Sequence, residues 1–226
     1  MEYPDFYNEI EHIILKDKLS KFLGSTGEGI IDISYLDIVK MAGHSCVLVS
    51  GTYLMALKGL QRLYGTELPI RGEIKVELRD YLQDGNTGAS AQVLSNITGA
   101  TTDTGFKGIN GKYNRHGLLF YGADIKSNVR FTRLDTNASV EVNYMPNRVV
   151  NPGNIMQSAL GPDATEESRN DFSLRWQEMI RTIFQNVFRF SNVRNLVSLK
   201  LRDSLFISKL FSLTQNPAFF SEVFAA

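Results

Sequence analysis

The sequence is short of several things that specialised protein classes need. It contains one cysteine, Cys46. A single thiol excludes an intrachain disulfide and any zinc finger built on several cysteines, and it fits a reducing compartment, so a cytoplasmic protein is expected. There is no run of about 18 apolar residues, and no membrane span is expected. The first residues, Met1-Glu2-Tyr3-Pro4-Asp5, lack the basic-then-apolar layout of a signal peptide. Lysine plus arginine and aspartate plus glutamate stand at 24 each, so charge gives no whole-chain argument for nucleic acid. The chain also lacks an internal repeat, a His-Glu-x-x-His pair and any recognisable spacing of paired carboxylates.

What is present describes a soluble globular protein. Hydrophobic residues make up 43% and charged residues 21% of 226, enough to bury a sizeable core without covalent staples. Phe6, Ile10, Ile13 and Ile14 keep helical spacing, with Asp5 as a cap and Gly24 as a stop, and predict a helix over 5–23. His12 beside that stripe reads as an ordinary surface or packed histidine. Residues 24–29 form a glycine-rich loop without the lysine of a phosphate loop. Ile31, Ile33 and Tyr35 alternate as a strand, and Ser34 three residues before Asp37 makes a capping-box start for a helical turn through Met41.

Gly43 breaks that turn and the main helix follows over 43–65. Val49, Tyr53, Leu57, Leu60 and Tyr64 form its apolar stripe. Ser50, Gly51, Thr52, Ala56 and Gly59 supply small side chains that let another element approach closely. Ile74, Val76 and Leu78 alternate with Glu73, Lys75, Glu77 and Arg79, a strand over 72–79 with a solvated charged face. Residues 87–98 fit a helix or a strand. The glycine-rich segment 105–111 carries Lys107, which could meet an anion together with backbone N–H groups. His116 precedes a buried strand at 118–121, and 128–144 reads as a hairpin around Asp135-Thr136-Asn137.

Pro146, Pro152, Gly153, Gly161 and Pro162 mark a linker. A helix starts near Thr165, with Phe172, Trp176, Met179, Ile180, Ile183 and Val187 on one face. From residue 172 onward there are seven basic and three acidic groups. Such a tail suits a helical extension used in dimerisation, or contact with an acidic partner or membrane surface. The fold class expected is α+β: a mainly antiparallel sheet packed on a central helix, with a helical C-terminal extension. The boundaries are 1–146 for the core domain, 147–164 for the linker and 165–226 for the extension.

The chemistry concentrates at the start of the main helix, in Gly43-His44-Ser45-Cys46. A helix start leaves backbone N–H groups unpaired and carries partial positive charge, and both favour a thiolate. Cys46 and His44, two residues apart, can reach one divalent transition metal, zinc foremost, with nickel or iron as alternatives. They can equally serve as a nucleophile and its base in a Cys-dependent enzyme or redox protein. The plain alternative is an inert cysteine in a structural or partner-binding module. The motif is no nucleophile elbow, because Val47 stands where glycine is needed.

Gly43-His44-Ser45-Cys46 followed by a small-residue helix resembles the core domain of the formylmethanofuran dehydrogenase FmdE-like family. Ile97-Thr98-Gly99-Ala100-Thr101 and Gly105-Phe106-Lys107-Gly108 resemble that family's downstream segments, and the hairpin at 128–144 continues the likeness, over roughly 30–145 in all. The resemblance implies an α+β core, a homodimer, a small-molecule ligand and a metal near the His-x-Cys turn. It implies an accessory role rather than a named reaction. Val47 replaces the family's proline, and Ala89, Gln92 and Ala100 stand where it carries two cysteines and an acidic residue. The metal would therefore rest on His44 and Cys46, with His116 and Asp84 the next candidates and Lys107 toward a cofactor. No C-terminal zinc finger is expected, because no cysteine remains for one.

Overall fold

The computed structural model of the chain describes residues 2–189 and 197–202. The helices among these residues are α1 (Lys18–Phe22), α2 (Tyr35–Ala42), α3 (Val47–Tyr64), α4 (Thr87–Thr98), α5 (Pro152–Leu160), α6 (Glu166–Asn170) and α7 (Phe172–Arg189). The strands are β1 (Ile13–Asp17), β2 (Ile30–Ile33), β3 (Ile70–Arg71), β4 (Ile74–Leu78), β5 (Leu119–Phe120), β6 (Val129–Arg133), β7 (Ser139–Tyr144) and β8 (Val197–Arg202). Short 3-10 turns occur at Asp5–Glu9 and Pro146–Arg148. The fold is α+β. A five-stranded sheet runs β5-β4-β6-β7-β8, antiparallel except for the parallel pair β4–β5, and a three-stranded sheet runs β2-β1-β3. No described helix is long and apolar enough to cross a membrane.

The large sheet sorts its side chains by strict alternation. Val76, Phe131 and Val140 stand in register on the face toward α3 and are fully buried. One residue along, Glu77, Arg130, Glu141 and Lys200 form a row of alternating charge across four strands. Arg130 grips Glu77 with two hydrogen bonds of 2.7 Å. A one-residue slip of any strand would exchange the apolar and charged rows, so this pattern pins the register. The charged face is less solvated than the sequence predicts: Glu77 is 9% exposed and Glu141 1%.

Helix α3 packs on β6, β7 and β8 on one side and on α2, α4 and α7 around the rest. Its apolar stripe is buried as expected, and so are Ser50, Gly51, Thr52, Ala56 and Gly59. Ser34 and Asp37 form the expected capping box at the start of α2. Residues 87–98 resolve to a helix.

The helix predicted over 5–23 is not formed. Ile13, Leu15 and Asp17 are buried while Lys16 is exposed, the period of a strand, and β1 pairs with β2 and β3. Asp17 decides the change of structure. Its carboxylate accepts hydrogen bonds from the N–H groups of Leu19 and Ser20 at 3.0 Å each, which ends the strand and caps α1. The same carboxylate accepts two bonds from Arg115 at 2.8 and 2.9 Å and one from Arg71 at 3.1 Å. Arg71 also donates to the carbonyls of Asn96 and Ile97 at the end of α4, where a cation suits the helix dipole.

The segment expected as a linker, 147–164, contains α5. The apolar stripe of α7 joins the main core: Met179, Ile180, Ile183 and Phe184 belong to the same buried cluster as Tyr35 and Tyr53. The Phe184 ring lies 4.7 Å from Tyr35 and 6.4 Å from Tyr53. Beyond α7 the expectation of a helical tail is corrected at 197–202, where β8 extends the sheet along β7. Residues 190–196 and 203–226 of that expected extension lie outside the described residues.

A Cβ at Gly59 would come within 2.9 Å of the Phe131 ring and 3.1 Å of Val142. Gly59→Ala should therefore destabilise by about 1–2 kcal/mol despite alanine's better helix propensity, read as a lower denaturation midpoint. For Asp17, burial alone would raise the pKa, but hydrogen bonds from Arg115, Ser20 and Arg71 outweigh it and hold the carboxyl below its ordinary value. Its contribution is thus present above the unfolded pKa of about 3.9 and lost as pH falls through the lower folded value. Asp17→Asn should cost about 3–5 kcal/mol at neutral pH, because two arginines lose their shared partner, and should flatten the acid limb of stability against pH. An unchanged acid limb would remove Asp17 from that role.

Candidate functional site: the turn before α3 and the cleft beside it

Helix α2 stops at Gly43, whose φ of +77° reverses the chain and whose N–H reaches the Val39 carbonyl at 2.9 Å. Cys46, in extended conformation with φ −147°, is the N-cap of α3. Its side chain makes no capping hydrogen bond, and the cap is held from the backbone: Ser50 N–H reaches the Cys46 carbonyl at 2.9 Å, and the Ser50 hydroxyl donates to it at the same distance. His44 and Cys46 therefore precede the helix, not occupy its first turn.

Ser45 anchors the turn. It is buried, and its hydroxyl is 2.7 Å from that of Tyr35. Its carbonyl accepts a 3.0 Å bond from the indole N–H of Trp176 on α7. Burial pushes the Tyr35 pKa well up, only partly countered by the bond to Ser45, so the phenol is neutral and serves as a structural hydrogen-bonding group.

Around this anchor the two predicted site residues differ. His44 is exposed, with Nδ1 3.0 Å from the carbonyl of Ala42. A carbonyl only accepts, so Nδ1 carries the proton and Nε2 of the neutral ring keeps a free lone pair. Cys46 is half-buried. It lies close enough to Tyr144 for a thiolate to raise that phenol's pKa, an effect secondary to burial. Ser50 also faces Tyr144, yet its own proton goes to backbone carbonyls, and the Tyr144 hydroxyl is buried without a hydrogen bond of good geometry.

The other expected residues lie elsewhere. His116 is held in the 101–117 loop by backbone bonds to Phe106 and to the Asn114 side chain, at 3.2 and 3.0 Å. Lys107 is exposed on the same loop. Asp84, at the turn before α4, accepts from the Tyr81 N–H at 3.0 Å. Among the described residues no group of three or more His, Cys, Asp and Glu side chains is placed to hold a metal ion. His44 and Cys46 thus offer at most two protein donors, which does not fit a closed structural zinc site. Ala89 is exposed on α4 and Ala100 is buried after it, so neither position adds a donor.

A cleft of about 300 Å³ opens beside this turn. Leu48, Thr52 and Met55 of α3 form its floor, starting two residues after Cys46. Thr87 and Ser90 bring the first turn of α4 against it, and Thr52 lies 3.3 Å from Ser90. Asn128 and Tyr144 close one side, joined by a 2.9 Å bond from the Tyr144 N–H to the Asn128 side chain. Gly51 makes this wall possible, since a Cβ there would fall 2.1 Å from the Tyr144 ring. Asp80 and Asp84 stand at the cleft as well. No motif signals these lining residues; the only trace in the sequence is the small-residue run at 50–52, which permits the approach of Tyr144.

No known protein family matches the chain, and no curated protein matches it significantly.

Trp176 is the sole tryptophan, and it touches the turn that carries the sole cysteine. Trp176→Phe should cost about 1 kcal/mol through loss of the donor to Ser45 and should speed alkylation of Cys46 under native conditions. An unchanged alkylation rate would show that this bond does not hold the turn.

Proposed function

We propose that the chain is a small-ligand-binding protein whose ligand occupies the cleft beside the start of α3. The observation that carries this reading is the cleft itself: about 300 Å³, with an apolar floor from one helix face and hydroxyl, amide and carboxylate groups converging from α3, α4, the β4–α4 connection and the β6–β7 hairpin. That mixture, at the small end of the usual size range, is what low-molecular-weight ligand sites have. A ligand bound only to the native state stabilises it by RT ln(1 + L/Kd), L being its free concentration, and so raises the melting temperature. A thermal-shift screen of small metabolites should therefore return compounds that stabilise the wild type but not Leu48→Trp, in which an indole fills the floor. If no compound distinguishes the two proteins, the reading fails.

A second reading is supported by the His44 hydrogen bond. Ligating histidines commonly donate their other ring N–H to a carbonyl or carboxylate, which fixes the tautomer and aims the free nitrogen. His44 donates Nδ1–H to Ala42 in that manner. In this reading Nε2 of His44 and the Cys46 thiolate hold a divalent transition metal, zinc foremost, with the remaining positions open to water or to the cleft ligand. When bound, such a metal supplies a Lewis-acid centre. The likeness of Gly43-His44-Ser45-Cys46 to the FmdE-like core supports the same assignment, with an accessory role in a cytoplasmic homodimer. Elemental analysis of untagged protein tests the metal: wild type should retain more than Cys46→Ala, and equal near-zero contents would overturn it. Light scattering on the full chain tests the dimer, which should appear at twice the chain mass.

A further inference from the structure

The charged side chains that line the cleft are of one sign, Asp80 and Asp84. Thr52 donates its hydroxyl proton to the Leu48 carbonyl at 2.8 Å, and Thr87 donates to the Asp84 carbonyl at 2.7 Å. Each oxygen then presents lone pairs. Asp84 accepts one backbone bond through Oδ2, which leaves Oδ1 available. Asp80 is paired with Arg79 at 2.8 Å, and both of these side chains are 42% exposed. No lysine, arginine or histidine is among the residues that line the cleft. The side-chain donors among them are the Asn86 and Asn128 amides and the Ser90 hydroxyl, all uncharged, and the Tyr144 hydroxyl is itself buried.

The start of α4 works in the opposite direction, because a helix N-terminus carries roughly half a positive charge. Two carboxylates against that half charge and one exposed arginine still leave the cleft negative. An anionic ligand would have to approach Asp84 at short range. Leu48, Met55 and Leu78 make the remaining wall apolar.

We infer that the cleft takes a small primary amine, its ammonium group on Asp84 and the threonine oxygens and a short apolar body on Leu48, Met55 and Leu78. This rests on the cleft reading above and adds the charge and donor character of the ligand. An ammonium brings a positive charge and three donors, which suit the Asp84 carboxylate and the two threonine oxygens.

The probes are three compounds of one length, n-pentylamine, 1-pentanol and pentanoate, titrated into the full chain at neutral pH and low salt, with binding followed by amide chemical shifts. The amine should bind about five- to tenfold tighter than the alcohol, and pentanoate weakest. Asp84→Asn should remove the amine's advantage and leave the alcohol unchanged, a readout that general unfolding would not give. Leu48→Trp should weaken both. If the alcohol binds as tightly as the amine, or pentanoate more tightly, the inference is overturned and the cleft reading stands. If none of the three shifts resonances of cleft residues, the cleft reading itself is overturned. Amine binding that ignores Leu48→Trp overturns the location.

Discussion

The closeness of α3 to the large sheet is the constraint on which the other arrangements depend. At Gly59 the helix backbone meets Phe131 and Val142 with no side chain between, and at Gly51 it meets the ring of Tyr144. Packing at that distance leaves no water for the polar groups of the buried helix. Ser50 and Thr52 accordingly return their hydroxyl protons to carbonyls of the preceding turn, the local solution for such residues inside a helix. The same closeness lays the last residue of β7 across the first turn of α3, and so produces both the wall of the cleft and the proximity of Tyr144 to Cys46.

The turn at 43–46 is held from three sides that are far apart in the chain. Gly43 reverses the backbone, Tyr35 on α2 bonds the Ser45 hydroxyl, and Trp176 on α7 bonds the Ser45 carbonyl. Ser45, between the two residues with obvious chemistry, is the structural member of the trio. Its burial fixes the backbone from which His44 reaches solvent and Cys46 sits half-buried near Tyr144. This gives α7 a role in the candidate site that its distance along the chain conceals.

Much of this fold is legible in the sequence, for reasons that can be named. Ile74-Val76-Leu78 and Val129-Phe131 alternate cleanly because one face of their strands is apolar, and the Ser34–Asp37 capping box needs only local geometry. The N-terminal segment misleads because Ile10, Ile13 and Ile14 satisfy a helical spacing, while the strand that forms depends on burying Asp17, a residue that reads as exposed. Its partners Arg71 and Arg115 are 54 and 98 residues away, and no local pattern announces them. Residues 87–98 are ambiguous because Thr, Ser, Gly, Val and Ile are weak helix formers; packing on α3 decides the outcome. At the site, His44 and Cys46 stand out as rare residue types. Thr52, Asn128 and Tyr144 are common types that acquire meaning only by converging in space.

The Asp17 cluster has a consequence for the order in which the chain assembles. The carboxylate joins the end of β1, the start of α1, the short strand β3 and the loop that carries Arg115. Closing a contact across 98 residues costs chain entropy before it returns any energy. β1, β3 and the C-terminal end of α4 must already be close before the second arginine can be desolvated beside the first. A contact of that span is expected to form late, and through it the 101–117 loop is tied to the end of β1 and to β3. Arg115→Ala is then expected to speed unfolding more than it slows folding.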